Sequence, residues 1–482
     1  METTIPVSQL TKLVLPNFDS HLQSLASALS TAPRQPVSNP TSSFWLSDPP
    51  PVFTHQSPTF PASADVVIIG SGITGTAAAR TLLSNSPDLR VAMLDAREAC
   101  SGATGRNGGH IKPNPWELFP ALAAVLGREK ARKVTEFRRG ILDKMIAVAD
   151  AEGVTGECQI RKVEAADVHF DAESWAAAKT CLVVYLEEFP EEIGNWRVYE
   201  GEEARQKFST PHAKGIITGP AGALWPARLI HPILTRLLSM HPTFTLDTST
   251  TVTSITPPDS PTSPYIVHTP RGDLKATHIL HATNGYTANL LPGLTGALFP
   301  VRGTMTAQSP PTKCHLHENR SWQFSWDQGY DYLTTLPDRT IMFGGGLRQA
   351  LKTEIGTVDD SIVELCTTIH LSGFLPAIGL GTGVQKIWTG IMGFSGDMLP
   401  WIGEVPPEIS GRQQGIGKEW VAAGYTGDGM CVAWGAAEEV VARILGLEGG
   451  VGVIEEMDVT VERVESAKRL ERLVGAFFGR EG

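Results

Sequence analysis

Apolar and polar positions alternate on two different periods along this chain. From Ala64 to Ile69 the residues are largely apolar and β-branched, as in a strand buried on both faces, and a helical pattern follows from Thr74 to about Ser84. A second short apolar run, Arg90 to Leu94, predicts another such strand. Helical spacing covers Gly127 to Glu152, Asp171 to Glu188 and Leu229 to Met240, and an alanine-rich helix is expected from Cys431 to Leu445. Alternation predicts strands near Thr250 to Ile255, Tyr265 to Thr269 and Thr277 to Ala282. From Phe299 to Gly346 the pattern is strand-like and rich in aromatics, which suits an antiparallel sheet. Ahead of all this, residues 1–63 form a leader with a proline-rich and serine-rich stretch from Pro33 to Pro61. Its apolar residues Phe44, Trp45, Leu46 and Phe53 either anchor it on the body of the protein or sit in a disordered extension.

The junction between the first strand and the first helix reads Gly70-Ser71-Gly72-Ile73-Thr74-Gly75. Gly70 allows a tight turn, Gly72 lets backbone approach a pyrophosphate, and Gly75 lets helix pack close on strand. The helix start adds free N–H groups and partial positive charge for phosphate. The second strand ends in Asp95, twenty residues beyond Gly75, where a carboxylate can accept hydrogen bonds from a ribose diol. Strand, glycines, helix, strand and acid in this order predict a dinucleotide site, against the alternative of a chance glycine-rich turn. Past Ala96 and Arg97 comes a second loop, Ser101-Gly102-Ala103-Thr104-Gly105-Arg106-Asn107-Gly108-Gly109-His110, too rich in glycine for a helix and too polar for a strand. It offers amides, hydroxyls and a guanidinium to a second stretch of polyanion and a polar ring edge. A nicotinamide-only fold has no evident use for it, so the cofactor expected is FAD.

At this point the chain resembles the D-amino-acid-oxidase-like superfamily of FAD oxidoreductases, which includes glycine, sarcosine and γ-glutamylputrescine oxidases. The segment Thr277 to Tyr286, with Ala282, Thr283, Asn284 and Gly285, is similar to that family's third FAD-contacting motif, and Val252 is expected nearby. The segment Trp420 to Met430, with Gly427, Asp428, Gly429 and Met430, is similar to its last one, ahead of the helix whose amides would face the flavin pyrimidine edge. These motifs lie some 350 residues apart, which fits one interleaved α/β (α+β) fold. The expectation is a Rossmann-like FAD-binding domain from residues 64–170, 222–298 and 385–482, interleaved with an antiparallel-sheet substrate domain from residues 171–221 and 299–384. Relatives that link FAD covalently use a cysteine near a Thr-Pro-Asp-like segment or a histidine in the second glycine loop. Here Asp331 to Asp338 holds no cysteine and Arg106 stands in the loop, so the resemblance implies non-covalent FAD.

Composition narrows the partners. A formal charge of -11 and a pI near 5.7 without a basic stripe argue against nucleic acid, and the locally basic run Arg128 to Arg139 reads as a solvated helix face. Six scattered cysteines without a CxxC pair give no metal site and suit an intracellular protein. No apolar run is long enough to span a bilayer and no secretory signal is evident, so no membrane partner is expected and the cytosol is the default location.

In this superfamily the substrate lies between flavin and antiparallel sheet. The resemblance therefore puts Trp326, Tyr330, Tyr332, Arg348 and Trp388 forward as walls, each open to the alternative of a core role. Arg302 or Arg348 would pair with a substrate carboxylate or else form a structural ion pair. His110 either tunes the flavin or is a plain loop histidine. Lys313 is the candidate for the lysine that helps oxygen accept electrons in oxidase relatives. The expected catalytic set is thus Lys313, Tyr332, Arg348 and Trp388. The expected function is oxidation of carbon next to nitrogen in an amine, N-methyl amine or amino acid, with O2 as acceptor. The alternatives are oxidation of a specialised metabolite and a non-catalytic scaffold, the latter disfavoured by glycines a scaffold does not need.

Overall fold

The computed structural model describes residues 26–311, 316, 319–326, 329–350, 354–447 and 453–468. Its strands form two sheets, and the fold is the expected mixture of a parallel and a largely antiparallel one. In the first sheet the parallel strands run in the order Glu419–Ala423, Gly272–His281, Ser63–Ile69, Val91–Leu94, Phe244–Asp247. Ile69 is level with both Leu94 and His281, so the C-terminal ends of the central strands open together. Loops leaving that edge are where open parallel sheets bind ligands. Helices Ile73–Asn85 and Ala433–Leu445 pack against each other beside this sheet, and their fully buried Ala77, Ala78, Ala79, Ala436 and Ala437 permit the close approach.

The second sheet runs Gly383–Ser395, Leu298–Ser309, Ile341–Gly345, Gly329–Thr335, Arg320–Trp326, Arg161–His169, Gly215–Ala223, His110–Ile111. Its pairs are antiparallel except Arg320–Trp326 with Arg161–His169, which is parallel. Strand membership crosses the segment boundaries read from sequence. His110–Ile111, Arg161–His169 and most of Gly383–Ser395 come from stretches assigned to the first domain but hydrogen-bond into the second sheet. Alternation marks a strand without naming its partner.

Two local expectations change. The single helix over Gly127 to Glu152 is two helices, Arg128–Arg139 and Ile141–Glu152, which meet at Gly140, a residue of low helix propensity. A further helix, Pro115–Leu126, precedes them. The strand near Thr250 forms only over Ser254–Thr256, because Thr250 is drawn to the other sheet edge, its N–H donating to Asp95 O at 2.7 Å. Of the two readings of the leader, the structure gives the anchored one for the stretch it describes. Trp45 is buried, its indole N–H donates to Asn107 O at 2.5 Å, and Trp225 donates to Trp45 O at 2.9 Å.

Candidate active site

One cavity of about 700 Å³ lies where the two sheets face each other, a size typical of small-molecule and cofactor sites, roughly 300–1,000 Å³. Four loops leaving the first sheet converge on it. Gly70, Gly72, Ile73 and Thr74 enter from the first strand, Asp95, Ala96 and Arg97 from the second, and Ala282, Thr283 and Asn284 from Gly272–His281. Gly427, Asp428, Gly429 and Met430 follow Glu419–Ala423, while Gly102, Ala103, Thr104, Arg106, Asn107, Gly108 and His110 come from the second glycine loop. Val252 lines the same cavity.

Cross-links between these loops fix their mutual position. Ile73 N donates to Thr104 Oγ1 at 3.0 Å, and Thr74 Oγ1 meets the Tyr425 hydroxyl at 2.9 Å. Asp95 accepts from Ser71 N at 2.9 Å and Ser71 Oγ at 2.5 Å on one oxygen, and from Arg97 N at 3.0 Å on the other. Asn284 stands in the left-handed region, φ 46°, where its carboxamide oxygen accepts from Gly424 N at 3.2 Å.

The glycines test whether this cradle fits FAD. A Cβ on Gly75 would lie 1.9 Å from Gly70 O, so helix and strand touch there as the fingerprint requires. A Cβ on Gly102 meets nothing within 4 Å, which places it in open space at the cavity wall. Gly72, at the N-cap of the helix that starts at Ile73, has no side chain to cap it, and beyond the Ile73 N–H held by Thr104 the helix start faces the cavity. His110 Nε2 is buried without a partner in this lining, while Nδ1 meets Ser321 Oγ at 2.7 Å. Burial, with Lys112 adding to it, pushes the His110 pKa down to about 3, so the ring is neutral. These features suit a bound dinucleotide with a polar ring edge.

The far end of the cavity is walled by the second sheet and the helix Pro115–Leu126. Tyr330 and Tyr332 alternate on Gly329–Thr335 and both line the cavity, while Asp331 between them is fully buried on the opposite face. The Tyr332 ring packs edge-on against His110 at 5.1 Å, and burial pushes its phenol up to about 12. Arg348 lines the wall beside Gly329. Lys112, Asn114, Glu117, Arg138, Met305 and Gln323 complete it, and the sequence reading singled out none of these for the site. Lys112 and Asn114 lie just beyond the second glycine loop, a polar pair in a short stretch that could have drawn notice. Arg138 corrects the reading of its helix as a solvated face: its side chain turns inward and donates to Asp428 Oδ2 at 2.7 Å.

Several expected site residues stand elsewhere. Trp388 is fully buried and donates to Arg106 O at 2.9 Å, so it supports the glycine loop from behind and does not line the cavity. Trp326 lies across the sheet from the cavity, donating to Asp331 Oδ2 at 3.0 Å. Arg302 is a structural ion pair, with Nε and Nη2 on Glu354 at 2.7 and 2.9 Å. The Arg106 guanidinium turns away from any ring edge, donating to Ser101 O at 2.7 Å and Thr389 O at 2.8 Å. Ser101, Gly75, Gly109 and Gly285 lie behind the lining, where Gly109 meets the Trp45 ring and Gly285 abuts Met392 O. Lys313 lies outside the described residues. Among the described residues, no helix is long and apolar enough to cross a membrane.

Residues 65–443 match the family described as FAD dependent oxidoreductase (DAO), and the chain belongs to it. It is an FAD-dependent oxidoreductase. It is 24% identical over 393 residues to the "Probable oxidoreductase OrdL" of Rhizobium meliloti (strain 1021), covering 80% of this chain and 83% of that protein. Among solved structures, glycine oxidase from Geobacillus kaustophilus superposes with a TM-score of 0.65 at 18% identity, covering 83% of this chain and 99% of that one. L-proline dehydrogenase from P.horikoshii gives 0.62 at 19% identity, covering 84% and 99%. At such identities these two likenesses concern the fold.

Proposed function

We propose that the chain removes a hydride from a carbon next to nitrogen in an amine, N-methyl amine or amino acid, and that O2 takes up the electrons. The observation that supports this most is the continuity of one cavity from the glycine loops to a wall bearing Tyr330, Tyr332, Arg348 and Glu117. Bound FAD supplies the hydride acceptor. The chain's own residues have to hold a neutral amine in place and keep water out. Tyr332 and Met305 give the wall bulk, and the neutral His110 offers a polar atom without adding charge. Arg348 carries the planar cation that would pair with a substrate carboxylate.

In this reading FAD is bound without a covalent link. Cys431, a cysteine in the cavity lining, is kept as a thiol by burial, which pushes it up to about 12. Heat should therefore release the yellow pigment into solution. The direct test is anaerobic mixing of the purified protein with a panel of amines, N-methyl amines and amino acids. At least one should bleach the flavin, and admitting air should then yield peroxide. A panel that leaves the flavin oxidised throughout removes this substrate class.

A further inference from the structure

The charged groups around the far wall of the cavity are unevenly matched. Lys112 Nζ is committed to Asp167 Oδ1 and also reaches Gln323 Oε1 at 3.1 Å. Arg138 is committed to Asp428 at 2.7 Å. Asn114 Nδ2 donates to the same Gln323 Oε1 at 2.9 Å. Glu117, in the first turn of helix Pro115–Leu126, lines the cavity, hydrogen-bonds to the Gln323 side chain and has no ion pair among the described residues. Lys112 and Arg138 are thus already neutralised by other carboxylates, and Glu117 turns its carboxyl to the space where substrate would sit.

We propose that Glu117 receives a second, non-reacting cationic nitrogen of the substrate, so that the chain acts on amines carrying an additional ammonium or guanidinium group. This rests on the reading of amine oxidation above. The reacting nitrogen is a poor partner for Glu117, because a carboxylate contact stabilises the charged ammonium, and hydride leaves the neighbouring carbon only when the lone pair is free. The cation held there is therefore a remote one. Desolvation, joined by Asp167 and Asp428 and opposed by Lys112 and the Gln323 hydrogen bond, holds Glu117 above the usual carboxylate range, and an arriving cation counters that shift. A substrate without such a group leaves the Glu117 carboxylate with the Gln323 side chain and no cation of its own.

Anaerobic titration calorimetry of the FAD-loaded full chain tests this with two matched pairs, 1,4-diaminobutane against n-butylamine and L-ornithine against L-norvaline. In at least one pair the member with the additional cation should bind at least tenfold more tightly. In Glu117→Gln that preference should fall to near unity while the flavin content stays the same. Equal binding within both pairs by the unaltered protein overturns the proposal, whether or not the variant folds, as does a preference that survives in Glu117→Gln. If n-butylamine or L-norvaline bleaches the flavin as readily as its partner, amine oxidation stands and the role of Glu117 falls. If no amine bleaches it, the underlying reading fails instead.

Discussion

Arg97 Nη1 reaches both carboxylate oxygens of Asp360 at 3.0 Å, joining residues 263 positions apart in the chain. Arg97 is 7% exposed and Asp360 not at all. The main-chain oxygen of Asp360 also accepts from Thr41 N at 2.8 Å and Thr389 Oγ1 at 3.0 Å, and Arg106 Nε stands 3.6 Å from its carboxylate. One residue thereby ties the strand-end loop, the second glycine loop and the leader together.

Removing that carboxylate strands a buried guanidinium. Breaking a buried ion pair from one side costs about 3–5 kcal/mol, so Asp360→Asn should unfold at markedly lower urea. Because Arg97 also lines the cavity, the purified variant should carry less FAD per chain than the unaltered protein. Excess FAD should recover part of the lost stability by mass action. Equal flavin content and an unchanged urea midpoint would contradict this account of Asp360.

The glycines make separable predictions. Gly75→Ala drives a methyl into Gly70 O, a contact of 1.9 Å between two backbone elements that cannot both yield. Overpacking of this kind costs about 1–3 kcal/mol and should displace the loop that faces the cofactor. Gly102→Ala meets nothing within 4 Å, so its fold should survive while the methyl intrudes on the cavity. Melting curves of the apoproteins should therefore fall for Gly75→Ala alone, whereas fluorescence titration with FAD should weaken for both.

The parts of this arrangement that were legible in the sequence are those where local chemistry determines geometry. Gly70, Gly75 and Asp95 sit at fixed offsets inside one strand–helix–strand unit, so their placement follows from short-range spacing. Arg138 could not be read that way. Its helix carries Arg128, Arg132 and Arg139 on the same stretch, and only the position of Asp428, 290 residues on, selects which one turns inward. Trp388 was misplaced and Arg302 left open for a related reason: an aromatic or an arginine on a strand faces cavity or core according to the pairing register. That register is set by Leu298–Ser309 against Gly383–Ser395 across a long intervening segment. Glu117 lies in a helix the periodicity did not predict, its start marked by little more than Asn114 and Pro115.

The leader acts as a strap over the second glycine loop. Ser43 Oγ donates to Gly105 O at 2.7 Å, Trp45 to Asn107 O at 2.5 Å, and a Cβ on Gly109 would stand 3.1 Å from the Trp45 ring. Trp45 also packs edge-on against Trp225 at 5.2 Å. Truncating a buried Trp costs about 3–5 kcal/mol. Trp45→Ala should show that loss in chemical unfolding. Because the strap holds a cavity-lining loop from outside, FAD should also dissociate faster on dilution. Unaltered FAD release, with only the global stability reduced, would restrict Trp45 to core packing.

Acid sensitivity should concentrate at a buried triad in the first sheet. Glu419 accepts from Arg412 Nε at 2.8 Å and Nη2 at 2.6 Å, and lies 2.9 Å from His281 Nε2. Burial opposes its charge, yet the hydrogen bonds from Arg412 and His281 outweigh burial and hold it down at about 2, against an ordinary 4.5. A depressed folded-state pKa stabilises above the unfolded value, and that contribution disappears as pH falls from about 4.5 toward about 2. His281, pushed below 6.5 by burial, acts in the same direction: the unfolded chain takes up its proton first, so acidification below about 6.5 also favours unfolding. Glu419→Gln should therefore be less stable than the unaltered protein at pH 7, with a gap that narrows by about 2 kcal/mol between pH 7 and pH 3. Urea unfolding of both proteins at pH 7, 5, 4 and 3 measures the gap. A separation that stays constant down to pH 3 would mean that Glu419 holds no depressed pKa in the folded protein.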